Sequence, residues 1–193
     1  MYPTEIACGI VFLSWLVFVI GFILRPWRRG QAEKRRDPRT LFGFFIEAAG
    51  YAITFFVRRG FPTAFLSFGS AVEWIFAVIA ALLAAGSVWL ALVAINVLGK
   101  HWSPAARIVE GHELVTDGPY RIVRHPIYAA MLGLMVATGL VISKPWALGA
   151  GTVLYLVGTT SRIRIEERLL LQHFGDQYED YKSKVSALIP FVT

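Results

Sequence analysis

The chain is short of the parts from which disulfide scaffolds, metal centres and dinucleotide enzymes are built. Its one cysteine, Cys8, sits inside an apolar run, so neither a disulfide nor a cysteine metal site can form within one chain. Its four histidines, His101, His112, His125 and His173, show neither His-x-x-x-His nor Glu-x-x-His spacing, which argues against a metal. Gly149-x-Gly151 begins like a dinucleotide loop, but the third glycine is missing and no strand precedes it. The alternation of strands and helices that a Rossmann fold needs is absent, as is a Gly-x-Ser-x-Gly nucleophile elbow. There is no internal repeat, low-complexity tail or flexible linker. No Lys or Arg precedes the first apolar run and no small-x-small site follows it, so that run is not expected to be a signal peptide.

Charge is also scarce, at 17% of residues, and the space is filled by apolar side chains. Hydrophobic residues make up 56% of the 193, and the mean hydropathy is +0.57. A soluble domain of this size does not carry so much apolar surface, so the expectation is an integral membrane protein. Apolar runs cover residues 6–24, 41–57, 71–98, 127–142 and 145–160, which predicts about five crossings. The net charge of +6 is clustered rather than spread. Residues 25–39 are the most basic stretch and lie between two spans. They read as a topology anchor facing the cytoplasm and not as a nucleic-acid patch. Alternating the spans puts the N-terminus outside. Residues 25–39, the long polar connection 99–125 and the C-terminal segment then share the cytoplasmic side. Arg58 and Arg59 fall on the other side, a minority the positive-inside rule tolerates. Glu47 lies within the second span, where a carboxylate needs a polar interior or a partner. The expected fold is thus all-α: one membrane domain over residues 1–193, with membrane helices in 1–98, the functional half in 99–193, and a cytoplasmic C-terminal helical cap.

The densest run of functional groups is Asp117-Gly118-Pro119-Tyr120-Arg121-Ile122-Val123-Arg124-His125-Pro126-Ile127-Tyr128. Asp-Gly-Pro is turn chemistry, and Pro126 suits the first turn of a helix because its missing N–H has no partner to lose there. Arg124, His125 and Tyr128 are therefore expected where a membrane helix meets water, beside backbone N–H groups able to hold an anion. Residues 161–184 read as a separate amphipathic helix followed by a turn. Ile163, Glu167, Leu170 and Phe174 form one helical stripe, and Arg162 and Glu166 stand one turn apart beside it. A carboxylate on an apolar stripe must be ion-paired, with Arg124 for example, or must meet a cationic ligand. In the hairpin of the last two runs, Gly133, Gly139, Gly149, Gly151 and Gly158 allow close helix approach.

Taken in order, His112-Glu-Leu-Val115, Gly118-Pro-Tyr120, Arg124-His-Pro-Ile-Tyr128, Glu166-Glu167, Phe174-Gly-x-x-Tyr178-x-x-Tyr181 and Pro190-Phe191 resemble the isoprenylcysteine carboxyl methyltransferase family, and its short prokaryotic members most closely. The resemblance covers residues 111–193, and membrane phospholipid N-methyltransferases share much of the pattern. It implies a helical membrane enzyme that uses S-adenosylmethionine and releases S-adenosylhomocysteine. By position, His112, Glu113, Leu114, Val115, Tyr120, His125, Pro126, Ile127, Tyr128 and a glutamate of the Glu166–Glu167 pair bind that cofactor. Arg162 faces the carboxylate of a lipophilic, prenylcysteine-like acceptor drawn from the bilayer. No nucleic acid and no metal are expected. Methylation of a lipid headgroup amine, a nicotinamide-dependent reductase and a non-catalytic lipid-binding membrane protein are the other readings.

Overall fold

The structure, a computed structural model, describes residues 2–24, 33–36, 38–60, 63, 65, 69–99, 107–109 and 113–190. Its helices are α1 (Pro3–Ile23), α2 (Thr40–Phe56), α3 (Ser70–Leu98), α4 (Pro126–Ile142), α5 (Pro145–Phe174) and α6 (Asp176–Lys184). A 3-10 turn, Gly118–Arg121, precedes α4. The all-helical expectation holds for the body of the molecule. The one addition among the described residues is a two-stranded antiparallel ribbon of β1 (Glu33–Arg36) and β2 (Arg107–Val109). It pairs a short stretch that follows α1 with a short stretch that follows α3.

α1 and α3 are each long and apolar enough to cross a membrane, whereas α2 and α4 are shorter apolar helices. By length and apolarity alone, two helices qualify among the described residues, and not the five runs counted in the sequence. The surface nevertheless belongs in lipid. Phe12 and Ile23 on α1 are each 71% exposed, and Leu82 and Trp89 on α3 and Phe42 on α2 are nearly as open. A face of that size and apolarity is not left to water.

The boundary expected near residue 160 does not exist. α5 runs unbroken for 30 residues, from its apolar start to Phe174. The polarity changes along it while the backbone does not, because no proline or glycine falls between Gly158 and Gly175. The break comes at Gly175, whose φ of +54° is a left-handed conformation that glycine adopts without strain. α6 folds back from there.

Two packing surfaces position the site. Small residues let α1, α3 and α4 lie close, with Ala80, Ala84 and Ala137 wholly buried among Ala7, Val88 and Leu134. α2 lies even closer to α5. A Cβ at Gly158 would stand 2.6 Å from the Gly43 carbonyl oxygen and 2.8 Å from the Glu47 nitrogen, and Gly50 meets Gly151 in the same way. Gly151 and Gly158 of α5 thus serve the α2 contact and not the α4 hairpin, whereas a Cβ at Gly149 would meet nothing within 4 Å. At the far end, Arg59 closes the α4 terminus: its Nη1 donates to the Ser143 carbonyl at 2.8 Å and its Nη2 to those of Leu140 and Val141 at 2.9 and 2.5 Å. Burial lowers its pKa to about 10. One of the two arginines expected on the minority side is therefore a helix cap.

Candidate active site

The site begins with how the Arg124–Tyr128 stretch is held. Gly118, with φ +58°, opens the 3-10 turn, and the chain then pairs with the C-terminal segment. The Arg124 N–H donates to the Ser186 carbonyl at 2.8 Å and the His125 N–H to that of Ala187 at 3.0 Å. Those two backbone bonds fix the start of α4. Pro126 takes the first helical position and is fully buried.

The two adjacent glutamates of α5 have different surroundings. Glu167 meets two cationic side chains and an imidazole. Arg124 donates to its Oε1 from Nε at 2.9 Å and lies 2.7 Å away at Nη2. Lys182 of α6 stands 2.7 Å from Oε2, and His125 Nε2 is 3.4 Å from Oε1. Burial raises the Glu167 pKa, but the hydrogen bonds from His125, Lys182 and Arg124, with the Arg124 charge, outweigh it and hold the carboxyl at about 2. This is the ion pair with Arg124 weighed from the sequence, extended to α6. Glu166 instead accepts a hydrogen bond from the Tyr128 hydroxyl and lies 3.6 Å from His125 Nδ1. Its side chain keeps 21% of its surface open. Burial raises its pKa, and His125, the Tyr128 hydrogen bond and Arg162 only partly offset this.

One turn earlier on α5, Arg162 turns to α2. Its Nη1 donates to Glu47 Oε2 at 2.6 Å, and Thr159 donates to Oε1 of the same carboxylate at 2.8 Å. Both charged residues are buried, Glu47 at 3% and Arg162 at 7% exposure. The guanidinium carbon stands 4.9 Å from the centre of the Tyr128 ring, whose backbone carbonyl accepts the Tyr155 hydroxyl at 2.9 Å. Tyr128 therefore links two centres, with Arg162–Glu47 over its face and Glu166–His125 at its hydroxyl.

Among the expected site residues, His125, Tyr128, Arg162, Glu166 and Glu167 come together where α2, α4 and α5 meet. Ile127 is half-buried at the start of α4. Tyr120 is buried, its hydroxyl 3.5 Å from the Ala94 carbonyl of α3, and its own carbonyl accepts the Tyr181 hydroxyl at 2.6 Å. Glu113 is exposed, and Leu114 and Val115 are half-buried in the irregular connection before the turn. His112 lies outside the described residues. The aromatic motif after Phe174 has a plain role: Gly175 reverses the chain, Tyr178 is buried at 1% exposure, and Tyr181 ties α6 to the 3-10 turn. Glu47, Thr159 and Lys182 were not expected in the site. A lone Glu in one apolar helix and an Arg near the apolar part of another were the available signal for the first of these.

Fold and site together define a helical membrane protein with a walled, charged cluster at one end of its bundle. The sequence model of the phospholipid methyltransferase family matches residues 75–177, more than half of the chain, and the chain belongs to that family. It is 34% identical over 102 residues to a probable protein-S-isoprenylcysteine O-methyltransferase of Oryza sativa subsp. indica, covering 52% of this chain and 53% of that protein. It is 44% identical over 79 residues to the methanethiol S-methyltransferase of Mycobacterium tuberculosis, covering 37% of this chain and 28% of that one. A solved structure of the eukaryotic intramembrane Ras methyltransferase, isoprenylcysteine carboxyl methyltransferase, superposes with a TM-score of 0.65 at 24% identity, over 98% of this chain and 68% of the other. That last likeness is one of fold. The resemblance read from the motifs is borne out, while the chain spans about half the length of the first curated relative.

Proposed function

We propose that this chain is a multi-pass membrane methyltransferase that uses S-adenosylmethionine and methylates the carboxylate of a prenylcysteine-like acceptor. The observation that carries the reading is the contrast between the two glutamates. Glu167 is neutralised by Arg124 and Lys182, while Glu166, partly open, has a phenol and an imidazole as its nearest partners. A raised carboxyl beside aromatic rings suits a ligand that brings its own positive charge. The cofactor carries an ammonium, a sulfonium and an adenine, and a carboxylate, an imidazole and a tyrosine ring fit that set. When bound, it supplies the electrophilic methyl group.

The protein's own residues have four tasks. Glu166 takes the cofactor's cationic end. Tyr128 and His125 fix that carboxylate, and Tyr128 also offers its ring. Arg162, held by Glu47 and over the Tyr128 face, is the cation for the acceptor's carboxylate. The helix walls exclude water, and with a nucleophile already ionised at neutral pH the site needs alignment and dryness, not a general base. His112, Glu113, Leu114, Val115, Tyr120, Pro126 and Ile127 complete the proposed cofactor side by the family pattern. About five crossings, with the site facing the cytoplasm, complete the reading.

The test is purified protein with labelled S-adenosylmethionine and a panel of acceptors: farnesylcysteine analogues, phosphatidylethanolamine and small thiols. Label entering the farnesylcysteine carboxylate as a base-labile ester supports the reading. Label entering only the amine or the thiol overturns it.

A further inference from the structure

α5 has an opposite face that the site does not use. A groove of about 770 Å³ runs there between the start of α2 and the middle of α5. Helical periodicity sets its lining residues on the far side of α5 from Glu166. The lining follows an order. Phe42 and Val157 are apolar and open to the surroundings, at 68% and 53% exposure. Thr160 comes next along α5, then Arg164 and Arg168, all exposed, and Arg39 stands at the facing end of α2. Val157 and Arg168 are separated by about 16 Å of helix rise. Among the described residues no carboxylate lines the groove.

An apolar stretch, then a hydroxyl, then guanidinium groups is the order of an acyl chain, a glycerol ester and a phosphodiester. Arginines fork onto phosphate oxygens, and basic pockets between membrane helices select anionic headgroups. We propose that this groove is a binding site for one anionic phospholipid, with its phosphate on Arg164 and Arg168, Arg39 at the mouth, and an acyl chain along Phe42 and Val157. A prenylated carboxylate has similar chemistry, but in this groove it would lie across α5 from Tyr128 and Glu166, out of reach of the reacting centre. The lipid site stands independently of the acceptor assigned above.

The experiment uses the whole chain in neutral detergent, with native mass spectrometry and melting curves in mixed micelles of phosphatidylglycerol or phosphatidylcholine. Expected are one retained phosphatidylglycerol per chain, a salt-sensitive rise in melting temperature, and neither effect from phosphatidylcholine or from inorganic phosphate. The doubly substituted Arg164→Gln/Arg168→Gln protein should melt as wild type without lipid, because both side chains are exposed. Its affinity for phosphatidylglycerol should fall roughly ten- to thirtyfold. Equal binding of the two lipids, many phosphatidylglycerols without saturation, or an unchanged affinity in the double variant would overturn the proposal. So would displacement of the lipid by a farnesylcysteine carboxylate, which would give the groove to the acceptor.

Discussion

Substituting Arg162 perturbs two things at once, and the structure shows how to separate them. Arg162 is the cation proposed for the acceptor, and it also neutralises Glu47, which has 3% exposure and both oxygens engaged. Arg162→Met leaves that carboxylate in an apolar wall. Removing one partner of a buried pair costs about 3–5 kcal/mol. The orphaned carboxylate escapes part of this by taking up a proton. For a glutamate of ordinary acidity that costs about 3.7 kcal/mol at pH 7 and about 1 kcal/mol at pH 5. The instability of Arg162→Met should therefore be large at neutral pH and shrink as the pH falls. Glu47→Gln/Arg162→Met removes both charges, leaves Thr159 a partner, and should recover most of the loss, to within about 1 kcal/mol of wild type. The measurements are melting curves in detergent from pH 5 to 7.5, with turnover per folded molecule. If the acceptor needs the cation, the double variant folds and stays inactive. A destabilisation of Arg162→Met that is equal at both pH values, or a double variant no better than the single one, would refute the pairing argument. Full specific activity of folded Arg162→Met on a prenylcysteine acceptor would refute the carboxylate role.

Glu166→Gln should weaken S-adenosylhomocysteine binding roughly ten- to a hundredfold, by loss of a charge-assisted contact, with a small change in stability. Glu167→Gln should do the reverse; calorimetric titration beside melting curves distinguishes them, and a larger affinity loss for Glu167→Gln would exchange the two roles. The Glu167 carboxyl sits below its ordinary value, so its stabilisation is present above about pH 4.5 and fades as the pH falls towards about 2, up to about 3 kcal/mol in all. Acid melting of Glu167→Gln should lack that component. The Glu166 carboxyl is raised, so cofactor affinity should climb with pH as it ionises, a slope that Glu166→Gln abolishes. Gly158→Ala places a methyl against the Gly43 carbonyl and should cost about 1–3 kcal/mol by parting α2 from α5, with Arg162-dependent turnover lost alongside. Single cysteines at positions 30 and 193, introduced after Cys8 is removed, should label from the same side of the membrane; opposite sides would refute the topology.

Several of these features could be read directly from the chain. The apolar runs gave the first four helices and the start of the fifth to within a few residues, because a membrane helix must satisfy its backbone internally and clothe it in apolar side chains. Arg124, His125, Tyr128, Arg162 and the glutamate pair stood out because ionisable groups are rare beside such runs and need partners. The unbroken α5 was harder to see, since polarity changes at residue 160 while helix propensity does not. What the sequence could not give was the choice of partners. The adjacent glutamates Glu166 and Glu167 look alike in the chain, yet a rotation of about 100° per residue sends one towards Arg124 and Lys182 and the other towards Tyr128. Glu47 finds Arg162 only because Gly43 and Gly158 let two helix backbones touch, and that contact joins residues more than a hundred positions apart. Helix periodicity and hydropathy are local and were fixed by the order of residues, whereas ion-pair partners depend on which helices pack together, and only the tertiary structure decided that.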